Sequence, residues 1–159
     1  MRIGFVSAVL LTAAVGLGAG NGEDRPWPEP TSALIALDEN ELEVKSKTKA
    51  RLRCRRSVIV YASEGRKYGN ITLVKTDFVK PRHVEGAIKD LDGRILKRLD
   101  ARSAEQTVLY NGTVVRTHRL SQNTFPYVVE YEYEVDLSSL FFWPDWRPQE
   151  DVPVLRSTY

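Results

Sequence analysis

The sequence predicts an all-β fold: an antiparallel, sandwich-like domain preceded by an N-terminal signal helix. Three observations lead there. Tyr127-Val-Val-Glu-Tyr-Glu-Tyr-Glu-Val-Asp136 alternates aromatic or aliphatic residues with acids, the pattern of a strand with one buried and one wet face. Short apolar or alternating segments recur along the rest of the chain, separated by turn-forming residues. Helical spacing is confined to one candidate turn, Ala101 to Val108.

The 159 residues allow one domain with a sizeable core, but the first part is not counted toward it. Met1-Arg2 is a short positive start, and Ile3 to Leu17 is apolar or small apart from Ser7 and Thr12. Gly16-Leu-Gly-Ala-Gly20 then supplies the small residues a signal peptidase requires, so residues 1–22 read as a signal peptide cut after Gly20 or Gly22. The alternative is an uncleaved anchor, since the apolar run approaches the roughly 18 residues of a spanning helix. Residues 23–31 carry Pro26, Pro28 and Pro30 around Trp27 and form an extended linker. Residues 32–159 are the expected β domain.

Within it, Ala33 to Leu37 is a short apolar strand, Asp38-Glu-Asn40 a turn, and Glu41 to Lys45 an alternating strand. A long segment from Thr48 to Tyr61 follows, ended by Ser63-Glu-Gly65. Asn70 to Val79 reads as one strand, stopped at Pro81. Val84 to Leu99 reads as a hairpin around Asp90-Leu-Asp-Gly93, with Gly93 left-handed, Ile88 opposite Leu96 and Asp90 opposite Arg94. Val114 to Leu120 and Tyr127 to Leu137 complete the strands.

Two rows of charge stand out. Lys45, Lys47, Lys49, Arg51, Arg53 and Arg55 occupy odd positions, which an extended strand places on one face. Alternation breaks at Arg55-Arg56, where a β-bulge would re-aim the strand. Glu130, Glu132, Glu134 and Asp136 form the acidic complement, and antiparallel pairing would set opposite charges face to face. A basic row can also bind an anionic polymer. The formal net charge of +2 falls to +1 when Arg2 is removed, which gives no reason to expect nucleic acid.

Candidate chemistry is sparse. Cys54 is the only cysteine, which rules out an intramolecular disulfide, and it shares a face with Leu52, which points to burial. His83 and His118 have no second histidine at ligand spacing, so neither a metal site nor a cofactor is expected, and His118 reads as a surface residue. Asp90, Asp92 and Asp100 read as turn and strand-end residues. Asn70 and Asn111 fit the glycosylation pattern but are read as turn residues. Trp143 and Trp146 offer a sugar-stacking surface or, as the stronger expectation, a plug for the end of the sandwich.

Thr124-Phe-Pro-Tyr-Val-Val-Glu-Tyr-Glu-Tyr-Glu-Val135, Phe142-Trp-Pro-Asp-Trp-Arg-Pro-Gln149 and Val152-Pro-Val-Leu-Arg-Ser157 resemble the DUF3857 family of bacterial domains, and Ile88 to Leu96 resembles that family's hairpin. The resemblance covers roughly Ala33 to Tyr159. It implies an exported β module that usually precedes a transglutaminase-like domain, whose Cys-His-Asp triad lies further along the chain; no catalytic residue is carried over. The family's acidic Y-S-D-x-R stretch is replaced here by Tyr110 to Arg116. Ending before the family's last strands, the chain is expected to be an incomplete product with an exposed sheet edge.

The functional expectation is an exported, non-catalytic module of the periplasm or cell envelope, accessory to a transglutaminase-like domain and without a stable membrane span after cleavage. The alternative is a stand-alone envelope module binding glycan or anionic polymer through Arg51, Arg53, Arg55, Trp143 and Trp146. An enzyme in its own right is the third possibility.

Overall fold

A computed structural model describes residues 31–139, 141 and 143–159. The expected signal peptide and nearly all of the expected linker lie outside the described residues. Among the described residues no helix is long and apolar enough to cross a membrane.

Among the described residues nine strands build two sheets: β1 (Ala33–Ser46), β2 (Lys49–Val60), β3 (Asn70–Lys75), β4 (Val79–Lys89), β5 (Ile95–Arg98), β6 (Glu105–Val108), β7 (Val114–Arg119), β8 (Tyr127–Leu137) and β9 (Ser157–Thr158). The larger sheet runs β5-β4-β8-β2-β1-β9, and the smaller β3-β7-β6. All pairings are antiparallel except β9 on β1. The all-β, sandwich-like fold is therefore present, with β8 at the centre of the larger sheet.

Register explains the core. On the inner face Val60 pairs Tyr127, and Val58 pairs Val129, which in turn pairs Ile88. These residues are fully buried with Ala33 and Ile35 of β1 and with Ile71, Leu73 and Leu120 in and beside the smaller sheet. A second apolar cluster, Ala50, Leu52, Val135 and Leu137, lies at the far end of the same face. Each fully buried side chain of this size contributes about 1.5–3 kcal/mol of hydrophobic stabilisation. Gly86 on β4 leaves room for Leu120 from the other layer, because a Cβ there would lie 2.8 Å from Leu120 Cδ1.

Several local expectations are corrected. Asp38-Glu-Asn40 is not a turn; β1 runs through it, because Asp38 and Asn40 face inward opposite Arg56 and Cys54. The bulge lies on β1 at Ala36, between the Ile35–Val58 and Leu37–Ser57 pairs, while β2 keeps unbroken register with β8 through Arg55 and Arg56. Asn70 to Val79 is divided: β3 ends at Lys75, and Val79 opens β4. Pro81 is inside β4 on a stretch that β5 does not reach, so the missing N–H costs no ladder bond. The hairpin turn has Gly93 at φ 85° and Asp90 accepting from the Arg94 amide, but a bulge places Ile88 opposite Lys97 rather than Leu96. Ala101 to Val108 is a 3-10 turn over Ala101–Ser103 followed by β6, with Asp100 capping the Arg102 amide. A second 3-10 helix spans Ser63–Gly69.

Candidate functional site

The outer face of the larger sheet carries a charge lattice. Three arginines of β2 have an acid on both sides: Arg51 lies between Glu43 and Asp136, Arg53 between Glu41 and Glu134, and Arg55 between Glu39 and Glu132. Arg51 Nε donates to Asp136 Oδ1 at 2.8 Å, and Arg53 Nε to Glu134 Oε1 at 2.9 Å. Those hydrogen bonds raise both guanidinium pKa values above their ordinary range. Asp136 also accepts from Arg82 at 2.7 Å; its carboxyl is held below the usual carboxylate range, chiefly by the Arg51 hydrogen bond. β8 supplies the anticipated complement, and β1 supplies a second acidic row that the sequence reading did not pair with the arginines. The row Arg51, Arg53 and Arg55 is thus charge-compensated from both sides.

Above this lattice lies an open groove of about 550 Å³, bordered by Arg55, Glu85, Lys89, Arg98, Glu130 and Glu132. At its rim Glu85 and Glu132 are direct cross-strand partners. Burial, and then the adjacent Glu85 carboxyl, raise the Glu132 pKa. His83 Nε2 sits 3.3 Å from Glu85 Oε2 on the same face.

The inner face holds a polar seam between the two apolar clusters. Arg56 is bracketed by Asp38 on β1 and Tyr131 on β8, and it pairs with Glu150 from the C-terminal segment. Burial opposes the Arg56 charge, but Tyr131, Glu150 and Asp38 more than offset it, so the guanidinium pKa is raised. Next in the seam, Cys54 lies opposite Tyr133. Burial pushes its thiol up to about 11, so it is protonated at neutral pH. Burial likewise raises the Tyr131 and Tyr133 hydroxyls above the ordinary tyrosine range. With Asn40, Trp146 and Arg147 these residues border a small cavity of about 200 Å³.

The five sequence-predicted binding residues do not converge. Arg51, Arg53 and Arg55 point outward, whereas Trp146 borders the cavity of the inner seam. Trp143 and Trp146 are 51% and 44% exposed, which corrects the expectation that they plug the core. Trp146 stacks on Tyr159 and donates to Ser157 Oγ at 3.0 Å. The segment instead seals the fold with Val152, and its backbone pairs along β1 through Ile35 and Asp38. His118 is also corrected: it is 3% exposed on β7, and burial, then Arg116, lower its pKa.

Sequence reasoning missed Arg56 because two consecutive arginines looked like an interruption of the alternation. The signal was present, since every even position from Ala50 to Val60 faces inward.

No family model matches the chain, and no curated protein matches it. Among solved structures, one from Parabacteroides distasonis described as a "putative protease" is similar, with a TM-score of 0.63 and 15% identity. The similarity covers 77% of this chain and 27% of that one, so this chain spans about a quarter of its length. At that identity the likeness concerns the fold.

Proposed function

We propose that this chain is a non-catalytic β module that serves a transglutaminase-like catalytic domain, as the DUF3857 resemblance at Thr124 to Val135 implies. The observation that carries the reading is that a fold of this kind occupies about a quarter of a larger chain described as a "putative protease". A module of that size fits the role of positioning a substrate or packing against a catalytic partner. The burial of Cys54, with its thiol pushed up to about 11, supports a role without a cysteine nucleophile in this chain. In this reading the protein is exported and works in the periplasm or envelope.

The test is association. Sedimentation velocity of the protein mixed with a transglutaminase-like domain encoded in the same genome should give a one-to-one complex. Two independently sedimenting species at about 100 μM each would contradict the proposal.

One observation favours a glycan-binding alternative: the large indole faces of Trp143 and Trp146 are half exposed. The anionic-polymer version is weaker, because Arg51, Arg53 and Arg55 already have acidic partners on both flanking strands. Retention on insoluble cell wall, lost in Trp143→Ala with Trp146→Ala, would favour this second reading.

A further inference from the structure

We propose that His83, Glu85 and Glu132 form a binding site for one divalent transition-metal ion of the zinc class on the outer face of the larger sheet. One ligand atom from each residue lies within 4.8 Å of the other two. Rotation of the exposed His83 and Glu85 side chains toward the half-buried Glu132 would close that spread to the edge of about 3.3 Å that bonds of about 2.0 Å impose on a tetrahedral zinc ion. One imidazole and two carboxylates leave a fourth position open, as in zinc sites that keep a water or substrate.

Two features of the strands build this cluster. The β4–β8 register shifts between Pro81 and His83, leaving Arg82 as the extra residue. His83 and Glu85, two residues apart on β4, share the outer face, and Arg82 as the extra residue reaches Asp136 on that same face. Glu85 then falls directly opposite Glu132, an arrangement in which two carboxylates repel each other. Elsewhere on this face the direct β2–β8 pairs bring unlike charges together, as Arg51 does with Asp136 and Arg53 with Glu134. Here Arg55 offers Glu132 a contact of only 3.6 Å and also reaches Glu39 at 3.6 Å. A divalent cation neutralises both carboxylates, uses the imidazole lone pair and ties β4 to β8 beside the groove.

Zinc titration of tag-free protein by calorimetry tests the site, with His83→Ala and the isosteric Glu132→Gln as variants. Cys54 and His118 are buried and are not offered to the ion in the native fold. One equivalent should bind, and either variant should weaken binding at least tenfold, about the loss seen for lesser disturbances of metal sites. Zinc should raise the melting temperature of the wild type but not of Glu85→Gln, whose metal-free form should melt no lower than the wild type. Unchanged affinity in both His83→Ala and Glu132→Gln would overturn the proposal. So would the absence of saturable binding below about 1 mM, or a preference for calcium over zinc.

Discussion

Arg56 is the residue that ties the C-terminal segment to the sheet. Its charge lies among Asp38, Tyr131 and Glu150, so removing Glu150 leaves a largely buried guanidinium short of a partner. Glu150→Ala should therefore cost about 1–3 kcal/mol in urea unfolding. Replacing both partners, with Arg56→Met added, should recover part of that loss. An additive loss in the double variant would show that the pair does not act as a unit.

His118 makes a second prediction at this scale. Its folded-state pKa is lowered, so the unfolded chain takes up a proton at a higher pH than the folded chain does. The contribution of neutral His118 is fully present above the unfolded value of about 6.5. It is lost as pH falls toward the lowered folded value. The melting temperature should decline as pH falls below about 6.5, and His118→Gln should flatten that part of the curve. Asp136 acts in the same sense at lower pH: its depressed carboxyl contributes stability above the unfolded value of about 3.9 that is lost on further acidification.

Among elements, the three-strand ladder of β1, β2 and β8 determines register more than stability. Slipping β2 by one residue against β8 would turn Arg51, Arg53 and Arg55 into the core and Leu52, Cys54 and Val58 out of it. The individual ion pairs are exposed, so Arg53→Ala should cost no more than about 1 kcal/mol, and less at high salt. Loss of several kcal/mol on guanidinium-chloride or urea denaturation would mean that Arg53 has a structural role beyond the ladder.

The elements also show what a reader of the sequence can find. β8 was legible from Tyr127 to Leu137 because its period of two is uninterrupted. The pairing of its acids with the arginines of β2 followed from charge alone. β1 was not legible as one strand, since Asp38 and Asn40 are turn formers in isolation and become strand residues only because Arg56 and Cys54 stand opposite them. Pro81 gave a false stop for the same kind of reason: whether a proline can sit in a strand depends on a neighbour, β5, too short to reach it. The His83 cluster was hidden more deeply. His83-Val-Glu85 carries no ligand signal in sequence, and only the β4–β8 register brings Glu132 beside it.

At the scale of the molecule, the larger sheet presents two unlike faces. One is sealed by the smaller sheet and the C-terminal segment, and the other is a lattice of compensated charges crossed by a groove. Such a body offers shape and charge to a partner. Its one thiol is buried and protonated at neutral pH, out of position to attack a substrate. The proposed function divides the labour between this chain and a separate catalytic domain. The most direct measurement compares acyl-transfer and peptide-hydrolysis rates of a transglutaminase-like domain with and without this protein, and of this protein alone. The account predicts that the protein alone is inert, that it alters the partner's rate, and that Cys54→Ala leaves both results unchanged. Turnover by the isolated protein, abolished by Cys54→Ala, would contradict it.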